Sequence, residues 1–126
     1  MNKKLNVLLL GFSERVTYII ELLLLSNKNI NNVSVVHNIV WAKEVLNTKN
    51  TDVIILDSKF SDNEGLVFFT GVKKTSPSIR TIILTNYTDN FHNSYAKKIG
   101  IDYLIDKSMA YKELSKILSK INSTSL

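Results

Sequence analysis

Val53-Ile54-Ile55-Leu56-Asp57 is the stretch that decides the fold. Four consecutive apolar residues suit a strand buried on both faces, the kind that parallel sheets use. A carboxylate directly after such a run is costly unless it is paired or put to use. Thr81-Ile82-Ile83-Leu84-Thr85 repeats the arrangement, with a hydroxyl in place of the carboxylate.

Toward the N-terminus, Val7 to Leu10 is another apolar run, ended by Gly11. Ser13 is placed to cap a helix, and Glu14 falls in its first turn, where the helix dipole favours an acid. Val16, Ile19, Ile20 and Leu23 then recur at helical spacing. Asn27 to Asn32 reads as a turn, Val33 to Val36 as a short strand, and Val40 to Leu46 as a helix with Trp41 facing the core. On the other side of Asp57, Ser61 to Gly65 is a turn. Leu66 to Val72 begins a helix in which Phe68 and Phe69 pack, and Pro77 stops any helix before the strand Thr81 to Leu84. Asp89 to Ile99 is a helix closed by Gly100, and Tyr103 to Ile105 is a short strand. The last helix runs from about Ala110 to Ile121 on a core stripe of Leu114, Ile117, Leu118 and Ile121.

The alternation gives an α/β class and a (βα)5 doubly wound parallel sheet with helices on both faces. In such sheets chemistry gathers at the carboxyl ends of the strands. The positions of interest are therefore Gly11 to Glu14, Asp57 to Lys59, Thr85-Asn86 and Asp106-Lys107. Carboxylate, hydroxyl and ammonium from Asp57, Thr85 and Lys107 would meet on one edge. Singly, each has a structural role open to it, such as an Asp–Lys pair tying loops together. Together, in this order, they point to function.

Bulk properties set the outer bounds. A length of 126 residues fits one domain over 1–126 and can bury a core without staples. The absence of cysteine excludes disulfides and thiolate metal sites. No apolar run approaches the ~20 residues of a membrane span, so no membrane partner is expected and the cytoplasm is the expected location. A net charge of +5 suits an acidic partner or nucleic acid, but without a basic-plus-aromatic cluster a lysine-rich surface is the better reading. Lys112, Lys116 and Lys120 form a basic row on the last helix, either a solvated face or an interaction face. No glycine-rich phosphate loop, nucleophile elbow or metal-ligand spacing around His37 or His92 occurs.

Over essentially its full length the chain resembles the receiver domain of bacterial two-component response regulators. The matching features are Asp57, Gly65 eight residues later, Thr85-Asn86, Gly100, and Lys107 within Leu104-Ile105-Asp106-Lys107-Ser108. The resemblance implies a flavodoxin-like receiver fold and a signalling module in a phosphorelay, not an enzyme. Asp57 would be the phosphoacceptor, Lys107 and Thr85 would contact the phosphoryl oxygens, and Thr85 and Leu104 would form the switch. Mg²⁺ would be held by Asp57 and the Lys59 backbone carbonyl. A sensor histidine kinase or other signalling protein is the implied partner. A homodimer through the fourth helix, fifth strand and fifth helix is consistent with it, as is an output DNA-binding domain outside this chain.

The pattern also breaks. Family members usually carry two acids after the first strand, and here Gly11 and Phe12 stand there. Glu14 is the nearest carboxylate and the one substitute ligand on offer. Mg²⁺ demands several hard oxygens, so this donor set predicts weak or absent metal-dependent phosphorylation. Ser61 replaces a common proline, and Leu104 replaces the usual switch aromatic, with Tyr103 expected on the opposite side of the strand. Three readings follow: an atypical receiver acting through protein contacts, a fully phosphorylatable receiver using Glu14, and a small flavodoxin-like nucleotide- or cofactor-binding protein.

Overall fold

A computed structural model describes residues 4–11, 13–57, 63–85, 98 and 100–124. Among them are strands β1 (Leu5–Leu10), β2 (Ile30–Val36), β3 (Val53–Asp57), β4 (Arg80–Thr85) and β5 (Tyr103–Asp106). All pair in parallel, in the order β2-β1-β3-β4-β5. The winding therefore reverses between β1 and β3, the place where such sheets present their sites. Helices α1 (Glu14–Leu25), α2 (Ile39–Thr48) and α3 (Asn63–Thr75) connect the strands. A 3-10 turn, Lys107–Met109, leads into the C-terminal helix, Ala110–Thr124.

Side-chain alternation along β3 divides the core into two layers. Val53 and Ile55 pack with Ile20 and Leu24 of α1 and with Leu114, Leu118 and Ile121 of the C-terminal helix. Ile54 and Leu56 pack with Ile39 and Ala42 of α2 and with Phe68, Phe69 and Val72 of α3. All four strand residues are 0% exposed, and each such burial is worth about 1.5–3 kcal/mol. A period-2 strand covered on both sides has no solvent face, which is why this segment is apolar at every position. The doubly wound α/β architecture is thus as expected. So is the packing of Phe68 on Phe69, whose ring centroids lie 5.8 Å apart.

Several local expectations are corrected. β2 begins at Ile30, inside the Asn-rich stretch read as a turn. It is the outermost strand on that side, so exposed Asn31 and Asn32 are tolerated, and the Asn31 amide donates to Asn6 Oδ1 at 2.8 Å. α3 starts at Asn63, before Gly65, and runs to Thr75, just ahead of Pro77. Trp41 does not face the core. The helix phase set by Ile39 and Ala42 leaves it 61% exposed, capped at its backbone by the Asn38 side chain, which accepts from Trp41 N–H at 2.9 Å. Ile19 is likewise 59% exposed, because α1 seats Thr17, Ile20 and Leu24 on the sheet. The helix expected at Asp89 to Ile99 lies outside the described residues, apart from helical Lys98. Gly100 holds φ +85°, the left-handed conformation expected of a helix-closing glycine.

The amino-terminal edge of the sheet is tied by a carboxylate. Lys73 Nζ donates to Asp102 Oδ2 at 2.6 Å and to the Ile79 carbonyl at 3.1 Å. The Thr81 N–H and hydroxyl donate to the same Asp102 oxygen at 2.9 and 3.2 Å. Burial of Asp102 raises its pKa, but the Lys73 hydrogen bond and charge and the Thr81 hydrogen bonds outweigh it and hold the carboxyl below its ordinary 3.8. A group with a lowered folded pKa contributes its stability above the unfolded value and loses it as pH falls through the folded one. Asp102→Asn is therefore expected to cost about 1–3 kcal/mol near neutrality. In urea denaturation at a series of pH values, the gap between wild type and variant should close as pH drops below about 4.

Candidate functional site

Asp57 is the last residue of β3 and is 6% exposed. Ending a fully buried strand, it has lost most of its hydration and needs a compensating cation. Lys107 supplies it. Its Nζ lies 3.0 Å from Asp57 Oδ1, with the lysine side chain about a quarter exposed. Lys107 follows the last residue of β5 and opens the 3-10 turn. The turn is set by Asp106, whose Oδ1 accepts from the Ser108 N–H at 2.9 Å and the Ser108 hydroxyl at 2.8 Å. Those two bonds lower the Asp106 pKa, the backbone bond most, against a small opposing effect of burial. An Asp two residues before Ser is an Asx-turn signal, so the sequence itself carries the mark of this positioning role.

Thr85 ends β4 and is 5% exposed. It lies one residue beyond Leu84, the residue registered against Asp57, and is itself registered against Asp106. The three strand ends thus bring Asp57, Thr85 and Lys107 to one edge, as expected. Gly11 stands at the end of β1, buried, with φ +91° and its N–H donating to the Val36 carbonyl at 3.1 Å. It adds no side chain to the edge. Glu14 is exposed in the first turn of α1, behind the Ser13 cap, whose hydroxyl accepts from the Val16 N–H at 3.4 Å. Phe12, Lys59 and Asn86 lie outside the described residues.

The remaining named positions are spread over other surfaces. Leu104 packs with the α2–α3 layer and Tyr103 with the α1 layer, on opposite sides of β5 as expected. Gly65 is buried. Lys112, Lys116 and Lys120 are exposed along the C-terminal helix. The Asp102 network escaped the sequence reading, because its members are separated by 21 and 29 positions and no local pattern joins them.

The side chains of the described residues at the edge offer a divalent cation few oxygen donors. Among the described residues no three His, Cys, Asp or Glu side chains cluster, and Asp57 already faces an ammonium. Mg²⁺ favours an octahedral shell with one or two carboxylates and few competing cations. What the described residues show at the edge is a buried carboxylate paired with a lysine.

A doubly wound receiver-type sheet with a buried Asp–Lys pair at its carboxyl edge defines a class, and comparison with known proteins gives the same class. The chain matches the response regulator receiver domain family over residues 13–119. It belongs to that family, which serves two-component signalling, and the reading as a flavodoxin-like cofactor protein gives way to it. Solved structures with the same fold include the RcsB response regulator of Salmonella typhimurium, at 22% identity and TM-score 0.82. That alignment covers 98% of this chain and 61% of that one, so the chain spans about three-fifths of its length. A response regulator from Thermotoga maritima aligns at 21% identity and TM-score 0.84, covering 96% of this chain and 99% of that one. An orphan response regulator of H. pylori aligns at 19% identity and TM-score 0.75, covering 98% of each chain. No curated protein sequence matches. No helix among the described residues is long and apolar enough to cross a membrane.

Removing Lys107 takes the ammonium away from a buried carboxylate, whereas removing Asp57 leaves a lysine able to reach water. Lys107→Met is expected to lower stability by about 1–3 kcal/mol, and Asp57→Asn by clearly less. Urea midpoints of the two variants against wild type at neutral pH check the asymmetry.

Proposed function

We propose that the chain is an atypical receiver in phosphorelay signal transduction, acting through protein–protein contacts, with weak or no Mg²⁺-dependent phosphorylation at Asp57. The observation that carries the reading is the direct Asp57–Lys107 pair together with a first strand that is followed by glycine. Phosphoryl transfer to Asp57 would form an Oδ–P bond as the donor's leaving group departs, giving a labile acyl phosphate. Lys107 would then pair with a phosphoryl oxygen and Thr85 would donate to another. Among the described residues the ammonium beside Asp57 is that of Lys107, and offsetting both the carboxylate and an incoming dianion is what the chemistry depends on.

The backbone supports the same view. At φ +91°, Gly11 occupies a conformation that L residues rarely adopt, so an acidic side chain there would bring strain with it. Glu14 is the alternative ligand, and its exposed place in the first turn of α1 suits a dipole interaction equally well. The partner would be a sensor histidine kinase or another signalling protein, with Thr85 and Leu104 in the switch and the Lys112, Lys116, Lys120 row as an interaction face. A DNA-binding output domain outside this chain is part of the proposal. It draws support from RcsB, a longer protein described for its DNA interaction.

Incubation with acetyl phosphate or phosphoramidate and Mg²⁺, read by intact mass, tests the reading. Little or no adduct is expected. A stoichiometric phosphoryl adduct that disappears in Asp57→Ala would sink the metal-poor reading. If that adduct also disappeared in Glu14→Ala, it would establish Glu14 as the missing ligand.

A further inference from the structure

α2 and α3 flank a groove of about 870 Å³ on the side of the sheet that Ile54 and Leu56 face. Its floor is apolar. Ile39, Phe68, Val72 and Ile79 line it and are each between 5% and 8% exposed, so the floor is the outer skin of a packed layer. Along α2, Ile39, Lys43 and Asn47 recur at every fourth position, and along α3, Val67, Gly71 and Thr75 do the same. Each helix thus turns one stripe toward the groove, over a length of about 12 Å. Such a volume with mainly apolar walls falls within the range of small-molecule sites, about 300–1,000 Å³.

Gly71 stands in the middle of the α3 stripe. It is exposed, and a Cβ built on it would meet nothing within 4 Å. Its φ is not among the positive ones, which belong to Gly11 and Gly100. Neither backbone conformation nor close packing therefore asks for glycine here, and glycine inside a helix is destabilising relative to alanine. What the missing side chain leaves is an open wall to the groove. The charge on that wall is one-sided. Among the described residues Lys43 is the one charged group lining the groove, and no carboxylate lines it. The lysine stem can lie along the apolar floor with its ammonium at the rim. Asn47 presents an amide one turn further along the same face.

We propose that this groove is a binding site for a small amphipathic monocarboxylate, with its apolar body on Phe68 and Val72 and its carboxylate paired with Lys43. One ammonium matches one negative charge. A dianion would be left half compensated, and a cation would be repelled, the more so by a chain of net charge +5. Two turns of helix on each side offer a protein partner much less than the ~800 Å² of a standard interface. This inference is independent of the chemistry at Asp57.

Titration of the 126-residue chain with octanoate, with octanol as the uncharged control, tests it. Trp41, the one tryptophan, lies on α2 between Ile39 and Lys43 and is 61% exposed, so its emission reports on that helix. A saturable change with octanoate is expected, and binding of octanol about tenfold weaker or more. Lys43→Gln should bring octanoate down to the level of octanol. Gly71→Ala should raise the thermal midpoint, and Gly71→Leu should keep the circular dichroism spectrum and lose binding of both molecules. Amide chemical shifts should move at Lys43, Asn47 and Gly71. Octanoate that fails to saturate, octanol that binds as tightly, or octanoate binding indifferent to Lys43→Gln would each overturn the inference. So would a Gly71→Ala chain less stable than wild type, a folded Gly71→Leu chain that binds as wild type does, or shifts confined to another surface.

Discussion

β3 is covered on both faces, so it can place polar groups only at its two ends. Everything else in the molecule is arranged around that constraint. At the amino end Asp52 is held by β1, its carboxylate accepting from the Asn6 N–H and its own N–H donating to the Asn6 carbonyl, each at 2.8 Å. Its carbonyl accepts from the Arg80 N–H at 3.0 Å, which fixes the start of β4. At the carboxyl end stands Asp57, a buried side-chain charge that needs compensation. The pair with Lys107 meets that need and also fixes where the chain must go. It joins the central strand to the turn that launches the C-terminal helix.

That pairing has two sides chemically. A lysine 3.0 Å from a buried carboxylate offsets its charge, and a carboxylate is the form that acts as a nucleophile. Gly11, after β1, brings no side-chain donor to that edge. A buried pair of this kind gains Coulomb energy against a desolvation penalty of similar size, so its net worth is small even though breaking it is costly.

The parts of the fold visible in the sequence were those under the strongest burial constraint. Val53 to Leu56 and Thr81 to Leu84 are apolar throughout because both faces are covered, and no helix on one layer would need that pattern. Edge elements were harder. Asn31 and Asn32 read as turn residues because nothing local reveals that their strand lies outermost. Trp41 was misplaced because an apolar residue at helical spacing is core-facing only if the helix phase agrees, and Ile39 and Ala42 set that phase through contacts with the far layer. Of the site, Asp57, Thr85 and Lys107 were legible because topology makes every strand end converge. The Asp102 tie was not, since hydrogen bonds across 21 positions leave no periodic trace.

α1 shows what such pattern reading misses most readily. Val16, Ile19, Ile20 and Leu23 looked like one stripe, yet the helix has apolar residues on nearly every side, and a moment-like pattern cannot say which side the sheet takes. The packing gives Ile20 and Leu24 to the core and leaves Tyr18, Ile19, Leu22 and Leu25 outside. That helix begins at Glu14, three residues after Gly11. The carboxyl edge with its Asp–Lys pair and the outer face of α1 therefore share one short turn. Thr17, Ile20 and Leu24 pin the helix to the sheet, so its outer face is held in a fixed place relative to that edge.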